Sequence, residues 1–360
     1  MNATGDLRVG IVGYGLAGAV FHAPLVASTP GMRVAAISTG AATRAAQARR
    51  DFPDATIYPS VEELLAAAPG SLDLLVVAAP NDAHASVGIA ALEAGLAVVI
   101  DKPVAPTAAD AERVIAAAQR AGKPLSVFQN RRWDNDFLTL RKLMQEDMLG
   151  GVSRFESRFE RFRPAVRADA WRESDAPELA GGLLFDLGAH LIDQALQLFG
   201  WPETVYAEVD RRRPGARVDD DSFVALRFPG GQVAHLWMSV IPRIFGPRMR
   251  VVGSRGVYEK YGLDPQEPQL IAGLRPGDPG YGVEPREAWG RLATEINGVV
   301  IDGSVETLTG AYEVYYAGMR DAIRDGAPVP VDPRESLDVI RVIEAARASA
   351  QRGETVHPTR

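Results

Sequence analysis

Apolar residues fall in short runs separated by amphipathic stretches through the first third of the chain. Leu7–Val12, Arg33–Ser38, Leu72–Ala78, Leu96–Ile100 and Leu125–Phe128 read as buried strands, the most apolar being Leu72-Asp73-Leu74-Leu75-Val76-Val77-Ala78. Between them Leu16–Ala27, Thr43–Asp51, Val61–Ala68, His84–Ala94 and Ala108–Ala121 are helical in pattern, several closed by glycine or proline signals such as Pro69-Gly70, Gly95 and Gly122. Regular strand–helix alternation with short connections predicts an open parallel sheet covered by helices on both faces.

The pattern changes after Asn130-Arg131-Arg132-Trp133. A helix over Asp136–Gln145 precedes a longer, half-exposed strand at Val152–Phe162. Val205–Val209, Ser222–Phe228, Val233–Val240 and Arg248–Val252 then follow in close order, which predicts an antiparallel meander. Asp264 to Pro285 is rich in proline and glycine and reads as a long surface excursion. Helices at Tyr312–Arg324 and Arg334–Gln351 end the chain. This gives an α/β protein of two domains, 1–130 and 131–360, in line with a length of 360 residues.

Composition narrows the chemistry. The net charge of −7 opposes nucleic-acid binding, which needs a surplus of Lys and Arg. There is no cysteine, which removes disulfides, thiolate catalysis and thiolate zinc sites. Met1–Arg8 is short and polar, and no apolar run approaches the roughly 20 residues of a membrane helix. A soluble cytoplasmic protein is expected.

Gly13-Tyr14-Gly15-Leu16-Ala17-Gly18 follows the first strand and opens the first helix. A dinucleotide pyrophosphate needs backbone N–H groups and a helix N-terminus close by, and glycines there permit the turn, the close approach and the helix–strand packing. An NAD site usually carries an acid about 20 residues further on. Here the second strand ends in Ser38-Thr39-Gly40-Ala41-Ala42-Thr43-Arg44, with no carboxylate before Asp51. Hydroxyls and a guanidinium favour a 2′-phosphate, hence NADP, with NAD as the alternative. Arg44 as a plain solvated helix residue is the bland reading.

Ala79, Pro80, Asn81 and His84 flank the end of the Leu72–Ala78 strand, where the cofactor ribose would pass, although Pro80-Asn81-Asp82 is equally a turn and cap. Asp101-Lys102-Pro103 ends the next strand, and there a lysine can stabilise an alkoxide as hydride leaves. Base rates favour a trans Lys102–Pro103 bond. Further on, Asp186 and His190 are four apart and Asp193 seven from Asp186, so all three share a helix face. His190 can take a hydroxyl proton, and Asp186 can hold a substrate hydroxyl or orient the imidazole. A metal set of Asp186, His190 and Asp193, or a core histidine, remains open. His22 reads as packing. Asn130 and Arg132 at the domain junction, with Arg163 and Trp171, are candidate cofactor or substrate contacts. Ion pairing or an ordinary strand face would also explain the arginines and the tryptophan.

Together, the glycine loop, the Lys-Pro pair and Gly181-Gly182-Leu183-Leu184-Phe185-Asp186-Leu187-Gly188-Ala189-His190-Leu191-Ile192-Asp193 resemble the glucose-fructose oxidoreductase / inositol dehydrogenase / MocA family over nearly the whole chain. Phe21-His22-Ala23-Pro24, Asn130-Arg131-Arg132-Trp133-Asp134 and Lys260-Tyr261-Gly262-Leu263-Asp264-Pro265-Gln266-Glu267 look like its NADP-dependent scyllo-inositol dehydrogenase branch. The family pattern commonly has Glu-Lys-Pro; Asp101 shortens that acid by one methylene. The resemblance implies Lys102, Asp186 and His190 as the catalytic set; no metal is expected. It implies an N-terminal Rossmann domain and a C-terminal α/β domain whose open, mostly antiparallel sheet serves oligomer contacts, as in a homodimer or homotetramer. It also implies a last helix that packs back near the first domain. The expected activity is reversible oxidation of a secondary hydroxyl of a polyol or sugar. The competing expectations are a non-catalytic nucleotide-binding regulator, and an enzyme that uses a tightly held cofactor for transient redox.

Overall fold

The apolar runs at the start of the chain form strands buried along most of their length, as strands covered on both faces must be. The computed structural model describes residues 5–166, 173, 174, 176 and 179–360. The chain divides into two compact units. One comprises Met1–Asn130, Gln266–Tyr281 and Ala311–Leu337, the other Arg131–Pro265, Gly282–Gly310 and Asp338–Arg360.

In the first unit β1 (Leu7–Val12), β2 (Met32–Ser38), β3 (Thr56–Tyr58), β4 (Leu74–Val77), β5 (Ala97–Asp101) and β6 (Leu125–Phe128) form one sheet in the order β3-β2-β1-β4-β5-β6. Every pairing is parallel. This is the doubly wound order of a Rossmann fold, and its strand order reverses between β1 and β4. The edge strand β3, three residues long, is too short to leave a periodic signal. The excursion expected at Asp264–Pro285 is not plain surface loop. Its helix Gln266–Ile271 buries Gln266 and Leu270, and the Gln266 side chain accepts from the backbone N–H of Tyr312 at 2.8 Å within this unit.

The second unit holds β7 (Val152–Glu160), β8 (Thr204–Asp210), β9 (Asp221–Arg227), β10 (Val233–Ser239), β11 (Met249–Gly253), β12 (Gly256–Lys260), β13 (Gly290–Ile296) and β14 (Val299–Val305). Their order is β14-β13-β12-β11-β7-β10-β9-β8. The expected meander holds for β8, β9 and β10, but β11 does not continue it. β7 lies between, parallel to β10 and antiparallel to β11. Burial alternates along β8, β9 and β10, so one face of the sheet packs and the other is open. The packed face meets Phe137, Leu140 and Leu143 of the helix Asn135–Gln145 and Leu191, Ile192 and Ala195 of the helix Ala189–Phe199. The final helix, Pro333–Arg352, adds Val339, Val342, Ile343 and Ala346 to this core. It is the preceding helix, Glu313–Asp325, with the first turn of the final one, that belongs to the first unit.

Candidate active site

A parallel sheet sends the residues after each strand to one edge. In the first unit that edge therefore collects Gly13–Gly18 after β1, Ser38–Arg44 after β2, Ala79–His84 after β4 and Asp101–Pro103 after β5, the position where open α/β sheets take ligands.

The glycine loop divides its work between packing and access. Gly13 has φ +93°, and a Cβ there would stand 2.5 Å from the Ala78 carbonyl oxygen; a Cβ on Gly18 would collide with the Gly13 carbonyl oxygen. A Cβ on Gly15 would meet, among the described residues, just the Arg44 guanidinium, at 3.8 Å, so the middle of the loop is open on a side edged by a cation. A wide π-helical turn, Ala17–His22, follows. Ser38 and Thr39 are buried at the end of β2. Tyr14 is buried and its hydroxyl donates to Asp51 at 2.9 Å; burial, then Asp51, raises the phenol far above its ordinary value. The first carboxylate after β2 is thus tied to Tyr14. A cradle that a Cβ would fill, at the start of a helix, fits a dinucleotide.

At the end of β5 the Asp101 carboxylate accepts the backbone N–H of Lys102 at 2.8 Å. Burial pushes the Asp101 carboxyl up, but His22, Lys102 and His84 outweigh it and hold the group below the usual carboxylate range. The Lys102–Pro103 bond is cis, against the base-rate expectation. His84 is fully buried, its Nδ1 2.7 Å from the Pro103 carbonyl and its Nε2 2.9 Å from the Ala79 carbonyl. It ties the loops after β4 and β5 together, with both ring nitrogens turned to backbone rather than to open space. Burial lowers its basicity. Pro80 and a buried Asn81 start the helix Asn81–Glu93, and Asn130, also buried, opens a short 3₁₀ turn. His22 does pack, its ring 4.5 Å from that of Phe128, but its Nδ1 also lies 2.6 Å from the Tyr316 hydroxyl.

In the second unit the Gly-Gly element is shaped by an acid that sequence spacing does not reveal. Gly182 has φ +98°, and a Cβ there would collide with the Asp219 carboxylate. That carboxylate accepts from the Leu184 backbone N–H at 2.7 Å and from the Ser222 hydroxyl at 2.9 Å. It caps the turn that carries Asp186, where helix N–H groups are otherwise unmet. The turn Leu184–Gly188 is again π-helical, and the α-helix Ala189–Phe199 starts after it. The regular four-residue stacking expected of Asp186 and His190 is therefore altered by a wider turn at Asp186. Asp186 is half-buried and His190 buried.

Arg132, expected among the substrate contacts, makes a two-pronged pair with Asp193 at 2.8 and 2.6 Å, and both side chains are buried. This also commits Asp193, the third member of the imagined metal set. Among the described residues no group of three or more His, Asp or Glu stands ready to hold a metal ion. Arg163 is exposed on the strand side, its backbone N–H donating to Val240. Trp171 lies outside the described residues. Arg248 pairs with buried Asp136 at 3.1 Å and donates to Gln194 of the His190 helix at 3.1 Å. Asp219, Asp136, Arg248 and Gln194 support the site without any local sequence signal, since the contacts that do so join Asp219 to Leu184, Arg248 to Asp136 and Arg248 to Gln194, each tens of residues apart.

Comparison with known proteins agrees with this architecture. Residues 7–129 match the NAD-binding Rossmann-fold model of an oxidoreductase family, and residues 141–357 match the C-terminal alpha/beta domain of the same family. The chain is 40% identical to the uncharacterized oxidoreductase YdgJ of Escherichia coli K12, covering 98% of both chains. It is 37% identical to scyllo-inositol 2-dehydrogenase (NADP(+)) IolW of Bacillus subtilis 168, covering 97% of this chain and 95% of that one. Among solved structures it resembles the oxidoreductase yvaA of Bacillus subtilis, with a TM-score of 0.94 and 37% identity over the whole of both chains. It also resembles the oxidoreductase YPO2259 of Yersinia pestis, with a TM-score of 0.90 and 40% identity over 100% and 99% of the two chains. With the glycine loop on one unit, the Asp186–His190 element on the other, and both halves matched in order, the chain belongs to the glucose-fructose oxidoreductase / inositol dehydrogenase / MocA family of oxidoreductases.

Proposed function

We propose that the protein is an NADP-preferring dehydrogenase that interconverts a secondary hydroxyl of a cyclitol or sugar, of the scyllo-inositol kind, and the corresponding ketone. The observation that carries the cofactor half is the Arg44 guanidinium beside the open Gly15, with Ser38 and Thr39 at the end of β2 and Asp51 tied to Tyr14. A 2′-phosphate gains from a cation and hydroxyls there, where a free acid would repel it. The similarity to an NADP-dependent scyllo-inositol 2-dehydrogenase supports the same choice and suggests the substrate class.

NADP, when bound, supplies the hydride acceptor at nicotinamide C4. His190 takes the hydroxyl proton, so that the C–H electron pair and the O–H proton leave by separate routes. Lys102 holds the same oxygen and stabilises its developing negative charge. Asp186 holds a neighbouring substrate hydroxyl and supports the imidazole. Among the described residues no helix is long and apolar enough to cross a membrane, and we place the activity in the cytoplasm.

Lys102→Met and His190→Ala test the assignment. Each should lower kcat by about 10²–10⁴-fold, the range for a lost general acid or base, while NADP binding followed by fluorescence stays near wild type. Near-normal turnover in both variants would overturn the assigned roles. A panel of inositol isomers and aldoses with NADP and NAD tests the substrate class.

A further inference from the structure

His22 is fully buried, and its Nε2 has no hydrogen-bond partner among the described residues. That is an expensive state for a buried polar atom. The atom is not aimed at apolar surroundings: the nearest carboxylate oxygen, Oδ2 of Asp101, is 3.9 Å away. The opposite nitrogen, Nδ1, is 2.6 Å from the hydroxyl of Tyr316, itself fully buried. A carboxylate only accepts hydrogen bonds, so the ring proton belongs on Nε2, and the neutral Nδ1 must then accept from Tyr316. Burial holds the Tyr316 phenol far above its ordinary value, so it keeps the proton it donates. The other oxygen of Asp101 holds the backbone N–H of Lys102. His84, on the far side, holds the Pro103 carbonyl.

We propose that Tyr316 and His22 are positioning residues for Lys102, acting as a preformed seat for the acid at position 101. In this chain the seat is loosely filled. A charge-assisted hydrogen bond from Nε2–H would need about 2.7–2.9 Å, so the 3.9 Å separation leaves a gap of about 1.0–1.2 Å, somewhat less than one carbon–carbon bond length. That is about the reach lost by an aspartate where Glu-Lys-Pro is the common pattern. Asp101→Glu should therefore close the contact. The functional half of this inference rests on the reading of Lys102 as the group that holds the substrate oxygen; the structural half does not.

The test is nitrogen-15 NMR of histidine-labelled full-length protein, paired with kinetics. The chain has five histidines, so single substitutions assign the signals. His22 should be the Nε2–H tautomer in the wild type. Asp101→Glu should move its Nε2 proton downfield. Tyr316→Phe should release the tautomer preference and lower kcat about tenfold, within the hundredfold that a 1 Å misplacement can cause, with KM for NADP unchanged. An Nδ1–H or doubly protonated His22, or an unmoved signal in Asp101→Glu, would overturn the seat. So would a Tyr316→Phe protein that loses thermal stability but turns over normally per folded molecule. Should Tyr316→Phe fail to fold, the wild-type tautomer and Asp101→Glu still decide. A wild type inert towards every polyol would sink the dehydrogenase reading instead, and the NMR result would stand by itself.

Discussion

Individual side chains carry the proposed cofactor choice and part of the pH response. Arg44 is exposed, so on the proposed NADP reading a bond from it to a 2′-phosphate would be worth the low end of a charge-assisted contact, about 1.5 kcal/mol. Arg44→Ser should therefore weaken NADP binding by about tenfold and leave NAD binding nearly unchanged, as titrations of intrinsic fluorescence would measure. Equal weakening of both would remove Arg44 from specificity. Away from the site, Asp73 accepts the Arg8 guanidinium at 3.0 and 2.9 Å and the Arg8 backbone N–H at 2.8 Å. The Arg8 side chain holds the Asp73 carboxyl below the usual carboxylate range. A carboxyl lowered by folding stabilises the folded state above its unfolded value, about 3.9. That contribution fades as pH falls through the unfolded value towards the folded one. Arg8→Gln should cost about 1 kcal/mol at pH 7, and the gap from wild type in urea unfolding should shrink steadily below about pH 4.

At the scale of elements, the helix Ala189–Phe199 matters most to the proposed chemistry, because it carries His190. Its position is fixed from outside by three anchors: Asp219 at the preceding turn, Arg132 on Asp193, and Arg248 on Gln194. Removing one member of the buried Arg132–Asp193 pair leaves an uncompensated charge. Asp193→Leu alone should lose about 3–5 kcal/mol of stability, whereas Arg132→Met with Asp193→Leu should recover most of it. Urea unfolding of the three proteins checks this; an additive double variant would show that the pair is not coupled. The residue types of the His190 element are all visible in the sequence. The π-helical turn at Leu184–Gly188 is not, since it follows from how Asp219, a chain segment away, holds Leu184. The same holds for β12, β13 and β14, which the sequence reading passed over. β14 is exposed along nearly its whole length and β3 has three residues, so neither carries the alternation that marks a strand.

For the whole molecule, the open face of the second sheet is the feature left without a task. It carries Phe223, His235 and Trp237, with the Arg158 guanidinium 3.9 Å above the Trp237 ring. We propose that this sheet supports self-association as a homodimer or homotetramer. Light scattering coupled to size exclusion should give a multiple of the chain mass, and Trp237→Glu should shift the distribution towards monomer. A wild-type monomer at every concentration would reject it. Cofactor binding acts on the whole fold as well: at one hundred times its Kd, NADP should stabilise the native state by about 2.7 kcal/mol, seen as a rise in Tm larger than that from NAD at equal concentration.

The sequence alone determined the parallel, doubly wound first unit, because buried strands need continuous apolar runs and the helices between them need a three- to four-residue period. It also determined the glycine turn after the first strand, because only glycine tolerates the backbone at Gly13 and the contact at Gly18. Tertiary structure decided which charges are committed. Arg132 and Asp193 look like free site groups along the chain, yet they neutralise one another 61 positions apart. His22 reads as packing, yet it meets a tyrosine 294 positions away and faces the acid that holds Lys102. Periodicity records only a residue's own environment; the pairing of buried polar groups depends on what the fold places opposite them.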